Sequence, residues 1–129
     1  MQTILIVEDE EAVRENLVEL LEAEGFRAMA AENGQEGLAL ARAHHPDLIL
    51  CDVLMPELDG YGVLAALRAD PATVAIPFIF LTARAGHTDR LRAAEIGAET
   101  YLTKPFTRRE LLTVIRGCLG NTLGAKVIL

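Results

Sequence analysis

The sequence has no apolar run near the roughly 20 residues needed to cross a bilayer. Its start, Met1-Gln2-Thr3, lacks the basic stretch that opens a secretory signal. Cysteine is scarce: Cys51 and Cys118 sit in an apolar strand-like and an apolar helix-like segment. They read as small buried hydrophobes rather than a disulfide pair. The expected compartment is the cytoplasm, with no membrane partner. Basic charge is also short. Twelve Lys and Arg against 19 Asp and Glu leave a net charge of −7, which argues against general nucleic-acid binding, since a phosphate backbone calls for a basic surface. No internal repeat, low-complexity tract or second domain is visible.

What the chain does have is enough apolar material for one ordinary domain. It has 129 residues, 51% hydrophobic and 24% charged, so it can bury roughly two-thirds of its unfolded surface without staples. The charge is uneven. The sequence is mostly acidic up to Thr82, and from Arg84 onward basic residues outnumber acidic ones. That bias either reflects solvated helix faces or marks a surface suited to an acidic partner or a second copy.

Hydrophobic periodicity alternates strand and helix. Thr3–Val7 is a short continuous apolar run, as for a strand buried on both faces. Glu11–Glu24 carries Val13, Leu17, Leu20 and Leu21 at helical spacing, and Gly25 stops it. Strands are predicted at 26–31, 47–51, 77–81 and 99–103. Helices are predicted after Asn33-Gly34, at 60–69, at 89–96 and at 107–119. Thr107 and Glu110 have capping-box spacing at the start of the last helix. Five strand–helix pairs predict an α/β, doubly wound (βα)5 fold with a five-stranded parallel sheet and helices on both faces. Residues 1–120 are expected to form the domain. Residues 121–129 have loop composition and then an apolar end, and read either as a C-terminal tail or as the start of a linker.

In a parallel sheet, ligands bind beyond the carboxyl ends of the strands. The residues there are Glu8, Asp9, Glu10 and Glu11 after the first strand, and Asp52 after the third. Thr82 follows the fourth strand, and Lys104 followed by Pro105 comes after the fifth. Clustered carboxylates must protonate, pair or bind a cation. Oxygen donors without His or Cys suit Mg²⁺, which keeps several waters and takes a phosphate oxygen. Lys104 supplies a point charge for a phosphoryl oxygen, and Thr82 a hydroxyl donor. Asp52 is left as the nucleophile that would form an acyl phosphate. Each residue alone has a plainer reading as a cap, a turn former or a helix-dipole partner; their convergence on one rim carries the argument.

Four segments, Ile4-Leu-Ile-Val-Glu-Asp-Glu10, Asp47 to Gly60, Pro77 to Ala83 and Gly97 to Phe106, resemble the receiver domains of two-component response regulators over about residues 3 to 119. The resemblance implies a flavodoxin-like sheet of order 2-1-3-4-5 and a Mg²⁺-dependent phosphoacceptor at Asp52. Asp9, Asp52 and the Leu54 backbone carbonyl are the implied metal ligands, with Glu8 acting through water. Thr82 and Lys104 match the phosphoryl-sensing hydroxyl and lysine, and Tyr101 the switch aromatic that turns inward with Thr82. Lys104-Pro105 matches the family's cis bond, and Leu54 and Arg84 the positions that tune water access. The implied partners are a sensor histidine kinase or phosphotransfer protein, and an output domain or partner protein. The latter would dock on the face of the fourth helix, fifth strand and fifth helix, through which a homodimer is also conceivable. Thr100 stands where dimerising receivers often carry an acid, which argues against their salt-bridged pairing. The implied role is signalling, with no catalysis beyond the domain's own phosphorylation and dephosphorylation.

Three rival readings fit less well. A nucleotide- or flavin-binding site calls for a Gly-rich turn after the first strand, where this chain has Glu8-Asp9-Glu10-Glu11. An Asp-nucleophile phosphatase calls for a second acid two residues on, where Leu54 stands. A non-phosphorylatable relative would lack one of Asp52, Thr82 or Lys104. His44, His45 and His87 lie away from the rim and are expected to have no catalytic role.

Overall fold

The computed structural model describes the backbone of residues 1–83 and 87–128, and the side chains of residues 1–83 and 91–120. The chain alternates strictly: β1 (Thr3–Val7), α1 (Glu11–Ala23), β2 (Arg27–Ala31), α2 (Gly34–His44), β3 (Leu48–Cys51), α3 (Gly60–Ala69), β4 (Phe78–Thr82), α4 (His87–Ile96), β5 (Thr100–Thr103) and α5 (Arg108–Ile128). All strand pairs are parallel, and the sheet order is β2-β1-β3-β4-β5, as the resemblance implies. Among the described residues no helix is long and apolar enough to cross a membrane.

Strand periodicity divides the core into two layers. Leu5, Val7, Ile49, Cys51, Phe78 and Phe80 face the layer that also holds Val63, Leu64 and Leu67 of α3 and Ala93 of α4. Ile4, Ile6, Leu48, Leu50, Ile79 and Leu81 point the other way, onto Leu17 and Leu21 of α1 and Leu111 and Ile115 of α5. Both cysteines are free thiols, and Cys51 is buried. Burial pushes the Cys51 thiol well up, with the nearby carboxylates adding to the shift, so it behaves as an apolar filler.

Two helix ends follow their sequence signals closely. Thr107 Oγ1 accepts from the Glu110 N–H at 3.0 Å, and Glu110 Oε1 accepts from the Thr107 N–H at 2.8 Å. Gly97 ends α4 at φ +105°, a conformation that only glycine adopts cheaply. At the other end of α5 the backbone stays helical through Ile128, across the segment whose composition reads as a loop.

One tie is invisible in the periodicity. Arg68, on α3, donates to the carbonyls of Gly97 (2.8 Å), Val74 (3.0 Å) and Ile76 (2.8 Å). It also pairs with Glu99 at 3.2 Å, and Glu99 accepts from the Phe78 N–H at 3.1 Å. This one guanidinium fastens α3 to the loops that enter β4 and β5. Arg68→Ala leaves several carbonyls without their donor and should lower unfolding free energy by about 2–4 kcal/mol. Urea denaturation checks this; a loss below about 0.5 kcal/mol, the range of ordinary surface changes, would show that the network adds nothing.

Candidate functional site

The strand ends bring the expected residues together. Glu8 follows β1 and is buried, Asp9 beside it is exposed, and Asp52 follows β3 half-buried. Carboxylate oxygens of these three lie within 4.8 Å of one another. Lys104 Nζ, just past β5, reaches both Glu8 Oε1 and Asp52 Oδ2 at 3.0 Å. Thr82 closes β4 and is fully buried, and its carbonyl accepts from the Lys104 N–H at 2.7 Å. The Lys104-Pro105 peptide is cis.

The electrostatics are unbalanced. Three carboxylates face one ammonium. Burial, more than any neighbour, raises the Glu8 carboxyl to about 7; the Glu10 N–H and Lys104 oppose this, and the charge of Asp52 adds to it. Lys104 is pulled down by burial, but its bonds to Asp52 and Glu8 outweigh that and leave it raised. A rim that buries one carboxyl among two others, with a single ammonium between them and oxygen donors only, fits a hard divalent cation such as Mg²⁺.

Backbone groups steady the acids. The Leu54 N–H donates to Asp52 Oδ1 at 3.3 Å, and the Glu10 N–H to Glu8 Oε2 at 3.1 Å. Two contributors went unassigned in the sequence reading. Arg14 Nη1, on α1, donates to the Glu8 carbonyl at 2.9 Å and the Asp9 carbonyl at 3.5 Å, holding the acidic turn against its helix. Its spacing from Glu8 is too long for a local cap, so no short-range signal marks it. Gly60 lets the first turn of α3 press on the Asp52 backbone: a Cβ there would collide with the Asp52 carbonyl oxygen and sit 2.8 Å from Phe80. It falls within the quoted Asp47–Gly60 segment but has no chemistry of its own to flag it.

The remaining expected positions lie around the rim. The Leu54 side chain is 57% exposed. Arg84 lies outside the described residues. Tyr101 is buried and packs on Phe80 with ring centroids 5.9 Å apart; Tyr61 flanks the same ring at 5.1 Å. Arg92 of α4 stacks over Tyr61 at 4.1 Å. The phenol of Tyr101 therefore already points inward.

The family model for the response regulator receiver domain matches residues 4–116. The chain is a response regulator receiver domain. Receiver domains are signalling modules of two-component systems, and relatives of this one occur both alone and within longer chains. The chain is 40% identical over 121 residues to the phosphate regulon transcriptional regulatory protein PhoB of Pseudomonas aeruginosa, covering 94% of this chain and 53% of PhoB. It is also 40% identical to protein PilH of the same organism, covering 94% of this chain and all of PilH. The receiver thus spans about half the length of PhoB and of probable transcriptional regulators such as ycf27 of Cyanophora paradoxa (48%). Among solved structures, the Vibrio cholerae chemotaxis protein CheY4 superposes with a TM-score of 0.88 at 28% identity, covering 92% of this chain and 99% of CheY4. The receiver domain of a Syntrophus aciditrophicus histidine kinase superposes at 0.87 and 36% identity, covering 95% and 93%.

Proposed function

We propose that this receiver takes a phosphoryl group onto Asp52 from a sensor histidine kinase or a phosphotransfer protein, with Mg²⁺ beside it. The observation that carries this reading is the bridge of Lys104 Nζ to Glu8 and Asp52 at 3.0 Å each, beside the third carboxylate of Asp9. Asp9, Asp52 and the Leu54 carbonyl would hold the ion directly and Glu8 through water. When bound, Mg²⁺ supplies the positive charge that phosphoryl oxygens require. An Asp52 carboxylate oxygen attacks phosphorus, a new P–O bond forms, and the bond to the donor's leaving group breaks. Lys104 transfers part of its pairing to a phosphoryl oxygen, and Thr82 donates its hydroxyl to another. The exposed Leu54 side chain flanks the path by which water later hydrolyses the acyl phosphate.

The output follows from the same charge. Phosphorylation adds ~−1.5 to −2 at the strand ends, drawing Thr82 inward and biasing the packing of Tyr101 and the α4-β5-α5 face toward a partner protein or output domain. Residues 1–120 form the unit that does this, residues 121–129 continue as a tail or toward an output domain, and the setting is cytoplasmic.

Incubation with Mg²⁺ and acetyl phosphate, read by intact mass and peptide mapping, should add one base-labile phosphoryl group at Asp52. No addition, or addition elsewhere, overturns the assignment. Asp9→Ala should weaken Mg²⁺ binding in a calorimetric titration by roughly tenfold or more, about 1.4 kcal/mol for one lost carboxylate ligand. An unchanged affinity removes Asp9 from the site.

A further inference from the structure

Helix α1 begins without a side-chain cap. Its N-cap residue, Glu10, is extended at φ −79° and ψ 116°, and its side chain makes no capping bond. The helix instead reaches back along the chain. The Arg14 N–H donates to the Glu10 carbonyl at 2.9 Å, and the Arg14 guanidinium goes further. Its Nη1 donates to the Glu8 carbonyl at 2.9 Å and, more weakly, to the Asp9 carbonyl at 3.5 Å. Those two carbonyls belong to the peptide planes on either side of the Asp9 Cα. A peptide unit is planar, so each plane turns about that Cα as one body. Holding both planes fixes the direction in which the Asp9 side chain leaves the backbone.

Asp9 depends on its backbone more than the other two acids do. Glu8 is buried and pairs with Lys104 at 3.0 Å. Asp52 pairs with the same ammonium at 3.0 Å and accepts from the Leu54 N–H at 3.3 Å. Asp9 is exposed, yet one of its carboxylate oxygens lies within 4.8 Å of theirs. Like charges that close repel, and an exposed carboxylate relieves the repulsion by swinging into water unless its backbone aims it inward. The guanidinium also acts through space, where its positive charge opposes a second cation nearby. Its two effects on a divalent ion therefore have opposite signs, and a measured sign separates them.

We propose that Arg14 is a positioning residue for the divalent cation: it holds the peptide planes that flank Asp9, aims that carboxylate at the shared site, and so sets the affinity for Mg²⁺. The proposal rests on the reading of Asp9 as a metal ligand. Arg14 touches neither Asp52 nor the phosphoryl oxygens in this scheme, and acts through Asp9 alone.

Titration of the full chain with magnesium chloride at constant ionic strength, followed by amide NMR, reads the affinity without any phosphodonor. Arg14→Met nearly keeps the length of the side chain and removes its donors and its charge. It should weaken Mg²⁺ binding by roughly tenfold, as when a group that orients a metal ligand is lost; loss of the charge alone would tighten it. Arg14→Gln, neutral and too short to span both carbonyls, should do the same, and circular dichroism in a chelator checks that both variants fold. In an Asp9→Ala background Arg14→Met should add little, because coupled residues are not additive. With Mg²⁺ at saturation, Arg14→Met should take up phosphate from acetyl phosphate at the parent's rate, since Asp52, Thr82 and Lys104 are untouched. An affinity unchanged or raised, a further loss of the same size in the Asp9→Ala background, or slow uptake that saturating Mg²⁺ does not restore overturns the proposal and leaves the Mg²⁺ reading standing. A parent that binds no Mg²⁺ overturns both.

Discussion

Asp52→Asn is expected to take up no phosphoryl group from acetyl phosphate and Mg²⁺, while remaining at least as stable as the parent without metal. Asparagine keeps the shape of the side chain but removes the nucleophilic carboxylate. It also removes one of three negative charges packed within 4.8 Å. Burial chiefly, and the Asp52 charge in addition, hold the Glu8 carboxyl near 7, so losing Asp52 relieves Glu8. Lys104 keeps Glu8 as a partner at 3.0 Å. Intact mass reads the chemistry and thermal unfolding in a chelator reads the stability. Uptake in the variant would place the acceptor elsewhere, and a lower metal-free melting temperature would show that Asp52 stabilises the cluster rather than straining it.

Gly60→Ala should have the largest effect on the scaffold. The added methyl group would press into the Asp52 carbonyl and lie 2.8 Å from Phe80 and 3.0 Å from the Val53 Cα. Two of those neighbours are backbone, and the Gly60 N–H is itself bonded to the Val53 carbonyl at 2.9 Å. Neither α3 nor the β3 end can yield alone, so the expected cost is about 3 kcal/mol or more, together with slower phosphorylation as Asp52 is pushed out of place. A melting temperature within ~2 °C of the parent would mean that α3 shifts more freely than the packing implies. Retained stability with lost phosphorylation would localise the damage to the acceptor.

Much of this architecture was legible in the residues. Continuous apolar runs separated by helical periodicity place every strand and helix to within a few residues at most boundaries, because strands buried on both faces admit few polar side chains. The rim residues could be placed for a related reason: in a parallel sheet a strand's carboxyl end is known once the strand is. The exceptions were long-range or conformational. Arg68 gains its role only where residues 74–76, Gly97 and Glu99 meet in space, and Arg14 only where α1 leans on the β1 turn. Gly120 and Gly124 read as loop because each disfavours a helix interior by about 1 kcal/mol, yet α5 runs through both. The inward packing of Tyr101 is one rotamer among those its sequence allows.

The sequence contains no tryptophan and two tyrosines, and both rings flank Phe80, at 5.1 and 5.9 Å. Its intrinsic near-ultraviolet emission therefore arises from two phenols in one cluster between the acceptor strand and the α4-β5 side. Tyrosine fluorescence is in consequence a native, label-free optical reporter of that cluster, and a rearrangement that separates α3, β4 and β5 changes the surroundings of every emitter in the chain.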